Sequence, residues 1–351
     1  MSVAALLVPA LTAAFAASVY AGAGGAAYPA YTINAQYDEV QSPAAFVPGA
    51  LYYGEDLGVG KLGEPSDMEA FGDRLYLLDA KRNLLMAFDE NLRLIKAVGS
   101  FTLNGEKYAF SNPQGVTVSF EGDVYVADTD NARIVRFDSR LNPVAVFNKP
   151  EISVMDGDYE YKPLKVAVDR SRRIYVIAQG INEGLVELTA DGQFMSFLGA
   201  PKVVYDPVTY FWKRILSREA SQYLEKFVST EFSNLKIDFS GFIYATIRAN
   251  DIPKLMEAVR SRNQEAVKAV QKFNASGVDT LKRRGDVPAV GDVNFLYEAA
   301  NSNPNEVFNP SAFVDIAIDD AGTYYCLDSR RGRIFVYNDD GHMLCAFGGK
   351  G

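Results

Sequence analysis

One phrase, repeated three times without a gap, leaves this chain few architectures. YLLDAKRNLLMAFD (76–89), YVADTDNARIVRFD (125–138) and YCLDSRRGRIFVYN (325–338) align residue for residue. In each, a Tyr stands three positions before an Asp. An aliphatic residue follows that Asp by six (Leu85, Ile134, Ile334) and an aromatic by nine (Phe88, Phe137, Tyr337). Weaker copies are YVIAQGINEGLVEL (175–188), with one extra residue, and IYATIR (243–248). Val116, Val166, Leu235 and Ile316 lie nine residues before the Tyr, and Gly122, Gly241 and Gly322 lie three before it. Alternation such as Val116, Val118 and Ile316, Ile318 is strand periodicity. The anchors Tyr76, Tyr125, Tyr175, Tyr244 and Tyr325 are 49, 50, 69 and 81 residues apart. Four short strands per unit at a period near 50 predict an all-β propeller, whose blades bury their faces only by packing on one another. The 20 Tyr, 22 Phe, 28 Gly and 15 Pro suit short strands and tight turns.

The phrase itself raises a metal question. Asp128, Asp130 and Asn131 crowd into four positions, as ligands of an EF-hand loop do. The next places in that pattern call for an oxygen ligand and a glycine, but hold Ala132 and Arg133. A cation beside a guanidinium is repelled. Recurrence of Asp79, Asp128 and Asp328 at the end of the second strand favours a structural turn, in which the carboxylate accepts backbone N–H groups. Asn131, Arg133 and, in the fifth unit, Arg333 are expected to extend that bonding. The third unit has Ala178 at the Asp position and the fourth has Ile247.

NPQGVTVSFEGDVYVADTDNARIVRFD (112–138) resembles an NHL repeat. FVDIAIDDAGTYYCLDSRRGRIFVYNDDGHMLCAFGGKG (313–351), SPAAFVPG (42–49) and KRRGDVPAVGD (282–292) resemble exported bacterial NHL-repeat proteins associated with carbohydrate-uptake systems. That resemblance spans roughly residues 60–350, as a β-propeller over 61–351. It implies a further blade beyond FGGKG, to which YTINAQY (31–37) and ALYYG (50–54) within 28–60 would add outer strands. Six blades are then expected on closure, with five legible. Residues 1–27 are uncharged and largely apolar, ending in AGAGGAA, like a secretory leader without its basic start. Export to an extracytoplasmic or cell-envelope location is the expectation, with membrane association through that leader or through sequence beyond Gly351.

The two long intervals carry helical patterns. Val208, Phe211, Trp212, Ile215, Leu216, Tyr223 and Leu224 fall on one face of a helix over 206–227. Ile252, Leu255, Met256, Val259, Ala266, Val267 and Val270 do the same over 251–270, with Pro253 in the first turn. In an antiparallel blade the second-to-third loop and the link onward leave from one face, so both helices should share the face of the Asp128 loop. Tyr205, Tyr210, Trp212, Arg283, Arg284 and Arg331 are the candidate binding residues there, against the alternative that they pack or pair within the molecule.

Catalytic equipment is sparse. A net charge of −9 with no basic run argues against nucleic acid. The single histidine, His342, rules out a several-histidine zinc site. Calcium could still be held by oxygen ligands in the central channel, with Asp67, Asp238 and Asp315 as weak candidates. Cys326 and Cys345 fall on the second and fourth strands of one blade, about 9.5 Å apart and too far for a disulfide. The expected role is a non-catalytic scaffold for a protein or small ligand, with no cofactor. The alternative is a metal-dependent hydrolase of gluconolactonase type, or a lyase.

Overall fold

The alternating apolar residues form strands throughout the computed structural model, which describes residues 30–36, 38–43, 45–46, 49–155, 158–199, 232–248, 252–285, 288–293 and 310–349. Two short N-terminal strands, β1 (Tyr31–Ile33) and β2 (Glu39–Gln41), precede five antiparallel blades. Blade 1 comprises β3 (Pro65–Phe71), β4 (Arg74–Asp79), β5 (Leu84–Phe88) and β6 (Leu94–Val98). A hairpin that the repeat does not foreshadow follows, β7 (Ser100–Leu103) with β8 (Glu106–Ala109). Blade 2 is β9 (Pro113–Val118), β10 (Val124–Asp128), β11 (Arg133–Phe137) and β12 (Pro143–Phe147). Blade 3 is β13 (Lys162–Val168), β14 (Ile174–Gln179), β15 (Leu185–Leu188) and β16 (Phe194–Leu198).

Blade 4 has three strands among the described residues: β17 (Phe232–Ile237), β18 (Ile243–Ile247) and β19 (Val270–Phe273). Helix α1 (Ile252–Ser261) sits between the last two. Blade 5 is β20 (Phe313–Ile318), β21 (Tyr324–Asp328), β22 (Arg333–Tyr337) and β23 (Met343–Gly348).

Three expectations need correction. First, the described residues form five blades and no sixth. The N-terminal strands join no sixth: β1 pairs with β23 through Tyr31 and Ala346 and carries β2 outward, so blade 5 becomes a six-stranded sheet. Residues 50–54 form no strand. Second, one helix is present among the described residues, and it is half the expected length. Arg262 takes a left-handed conformation (φ 54°), while Asn263 N–H bonds Ala258 O and Arg262 N–H bonds Val259 O. That is a Schellman stop, and it frees Val270 to pair with Thr246 as a strand. The 206–227 segment, with Tyr205, Tyr210 and Trp212, lies outside the described residues, as does the 1–27 leader. Third, blade 4 replaces its outer strand with a loop, Arg283 donating to Val270 O (3.0 Å) and Asp279 (2.8 Å).

The core lies between the blades. Tyr76 packs toward blade 2, Tyr125 toward blade 3, Tyr175 toward blade 4 and Tyr244 toward blade 5, and all four are buried. Tyr325 is only partly buried. Its face of blade 5, with Ile334, Val336 and Phe347, is met by the N-terminal segment, where Phe46 stacks on Phe347 at 4.6 Å. The face of blade 1 turned away from blade 2, with Leu75, Leu77, Met86 and Phe88, forms a separate cluster with Leu57. Helix α1 inserts Leu255, Ala258 and Val259 into the core shared by blades 4 and 5. No helix among the described residues is long and apolar enough to cross a membrane.

Candidate functional site

The innermost strands converge on a channel, and a shared irregularity sets what points into it. Each of β3, β9, β13, β17 and β20 carries a register break that skips one residue after its first or second paired position. A bulge of this kind re-aims the following side chain. The residues that follow are Asp67, Gly115, Lys165, Asn234 and Asp315, one per blade at one level. Asp67 and Asp315 are therefore equivalent by strand pairing (Asp67 opposite Leu78, Asp315 opposite Leu327). The sequence spacing hides this, because the first turn of blade 1 is one residue shorter.

These residues meet across the axis. Lys165 Nζ lies 3.1 Å from Asp67 Oδ2, joining blades 3 and 1, which are not neighbours. Asp67 also accepts the Val116 N–H at 2.9 Å. Asn234 donates to Asp315 at 2.6 Å, and Asp315 accepts the Ile316 N–H at 2.8 Å. One layer further along, Lys236 pairs with Glu69, joining blades 4 and 1. Gly115 completes the ring because no side chain fits there: a Cβ would stand 2.5 Å from Leu164 O. Burial raises the Asp315 carboxyl above its ordinary range and Asp67 adds to this, against Lys165 and Lys236. Burial likewise lowers Lys236, despite Asp315 and Asp67.

The channel is thus filled by opposed charges. A cation at Asp67 and Asp315 would face two ammonium groups, and no three His, Cys, Asp or Glu side chains converge for a metal among the described residues. Asp238 belongs elsewhere. Its carboxylate accepts the Ser240 and Phe242 N–H groups (2.8 and 2.9 Å) in a first-to-second strand turn. His342 is an exposed residue just before β23.

The repeat aspartates are buried joints. Asp79 accepts the N–H groups of Gly63, Glu64 and Arg82; Asp128 accepts those of Ser111, the Asn131 amide and Arg133; Asp328 accepts those of Ala312 and Arg330. Most of the backbone donors come from the link entering the innermost strand, not from the turn alone. Asn131 and Arg133 also donate to Ala109 O, tying in the β7–β8 hairpin. Arg333 departs from the expected pattern. It bonds Asp292 (2.6 Å) and the Tyr31 hydroxyl (3.0 Å), while Arg331 approaches both Asp292 and Asp328 (3.3 and 3.4 Å). Tyr31 in turn donates to Asp292, so the fifth unit uses its arginines to anchor the N-terminal strand. Of the other candidate arginines, Arg283 is held within blade 4 and Arg284 lies 3.6 Å from Asp340. Cys326 and Cys345 are free and buried, and burial raises both thiols.

Residues 110–137 match the family model of the NHL repeat. The first three strands of the second blade are thus similar to an NHL repeat. No curated protein matches the chain. Among solved structures, a protein of unknown function from Bacteroides caccae aligns over 92% of this chain and 91% of its own, at 10% identity and TM-score 0.46. Virginiamycin B lyase from Staphylococcus aureus aligns over 82% and 70%, at 11% identity and TM-score 0.44. A streptogramin B lyase aligns over 80% and 67%, at 10% identity and TM-score 0.43. Likenesses this distant carry no argument about what this propeller binds or catalyses.

Proposed function

We propose that this NHL-type propeller is a non-catalytic scaffold that binds a protein or small ligand at the cell envelope. The carrying observation is the channel, where a propeller hydrolase needs open carboxylates and this chain sets Lys165 against Asp67 and Lys236 against Glu69. Function on a rigid propeller then falls to its loops and insertions. Helix α1 and the Asp128 loop belong to one face of the ring, which is the proposed docking face. An extracytoplasmic location rests on the apolar leader, and a link to carbohydrate uptake on the resemblance of residues 313–351. Nucleic acid is not a proposed partner.

The test has two arms. The purified chain, assayed on lactone, ester and streptogramin substrates with and without calcium or magnesium, is expected to show no turnover. Millimolar calcium is expected to leave its melting temperature unchanged. A photo-crosslinking residue at exposed Lys254 on α1 is expected to capture an envelope component in intact cells. Turnover by the parent chain, lost in an Asp67→Asn variant that remains folded by circular dichroism, would instead establish the hydrolase.

A further inference from the structure

The run Asp169-Arg170-Ser171-Arg172-Arg173 places three arginines in the first turn of blade 3, and they are not treated alike. Arg173 pairs with Asp169 (2.7 Å) and Glu187 (3.0 Å), and Arg172 lies 3.9 Å from Glu121. Arg170 has no carboxylate or carbonyl partner among the described residues. Its guanidinium carbon lies instead 4.5 Å from the centre of the Phe120 ring and 4.3 Å from that of Phe239. Those phenylalanines stand at the same turn position in blades 2 and 4. Their rings meet nearly edge to face (70°, centres 6.3 Å apart), so Arg170 sits in a corner rather than between parallel plates. Phe239 is 68% exposed.

We infer that Arg170, Phe120 and Phe239 form a binding point for a carboxylate-bearing small ligand. It lies on the face opposite to the docking face proposed above and does not depend on that reading. Two walls of the guanidinium are covered by aromatic rings, which fixes its plane and lowers the ordering cost of its N–H fork. The fork matches a carboxylate in bidentate geometry. The rings offer an apolar surface to the carbon skeleton behind that carboxylate. A single guanidinium answers one negative charge. The neighbouring Arg172 and Arg173 are already engaged by carboxylates, which disfavours a doubly charged phosphate.

The test uses the full chain labelled with 15N-arginine. N-acetylglycine, D-glucuronate, inorganic phosphate and sodium chloride are titrated separately to about 50 mM, the range in which one charge-assisted contact saturates. The Arg170 Nε–H resonance is assigned by its loss in Arg170→Lys. It is expected to move saturably with the carboxylates and not with chloride. Followed at the Phe239 amide of a second sample labelled uniformly with 15N, Arg170→Lys is expected to weaken carboxylate binding about tenfold through loss of the fork. Phe239→Ala is expected to weaken it about threefold through loss of one wall. Absence of a saturable shift, or an equal shift with chloride, overturns the site. Phosphate binding at lower concentration than either carboxylate overturns the assignment of ligand class.

Discussion

Ala132 occupies a place where an L-residue is strained. The position five residues before the end of the third strand must turn left-handed after the Asp-led turn, and it holds Asn83 (φ 55°), Ala132 (φ 51°) and Gly332 (φ 65°) in blades 1, 2 and 5. Alanine has neither the freedom of glycine nor the local hydrogen bonding of asparagine. Ala132→Gly is therefore expected to stabilise the chain by about 0.5–1 kcal/mol, read as a higher urea midpoint with unchanged slope. A lower midpoint would show that the methyl's packing outweighs backbone strain. Sequence alone exposed the buried aspartates and tyrosines, because their roles recur at fixed spacing. The equivalence of Asp67 with Asp315 stayed hidden, since one deleted turn residue shifts the count while strand pairing preserves the geometry.

At the scale of elements, two carboxylates should respond to pH with opposite slopes. Asp315 on β20 has a carboxyl raised above its ordinary 3.8, by burial first and by Asp67 second. At low pH both folded and unfolded states hold the proton and nothing is lost. As pH rises through the folded value, ionisation costs stability. Asp315→Asn keeps an acceptor for Ile316 and is expected to match the parent near pH 4 and exceed it by about 1 kcal/mol at pH 7. Asp339, just after β22, behaves inversely. Hydrogen bonding from Lys282 lowers its carboxyl, against a smaller opposing effect of burial, and Lys272 of β19 lowers it further. Its contribution is present above the ordinary 3.8 and lost as pH falls through the folded value. Asp339→Asn should thus flatten the acid limb of the stability profile and leave the slope near neutrality alone. Asp67→Asn is a third case. It strands the nearly buried Lys165 and is expected to cost about 3 kcal/mol at pH 7. Urea midpoints between pH 3 and 7 separate all three. A loss of stability in Asp315→Asn at pH 7 would refute the view that burial and Asp67 together disfavour its ionised form. These pairs lie far apart in sequence and only the ring assembles them, so the chain's pattern could not announce them.

For the whole molecule, the anchor tyrosines show where the packing of blade on blade stops. Four of them are buried against the next blade, whereas Tyr325 has Phe46 of the N-terminal segment at 6.2 Å. The described residues between 42 and 62 meet the face of blade 5 at Phe46 and that of blade 1 at Leu57, which is buried. A cavity of about 350 Å³ beside Phe46, Tyr325 and Leu344 marks looser packing at this seam. Phe46 and Leu344 stay 37% and 48% exposed. A seam closed by a strap should open before the blade-on-blade seams do. Phe46→Ala is accordingly expected to speed amide exchange in β22 and β23 about tenfold, equivalent to roughly 1.4 kcal/mol of local opening. Amides of β10 and β11, flanked by blades on either side, should exchange at the parent rate. An equal acceleration in every blade would mean that the mutation lowers global stability, and that the seam is no weaker than its neighbours. No change anywhere would mean that Phe46 merely rests on blade 5, leaving Leu57 and the Tyr31–Asp292–Arg333 anchor to hold the strap.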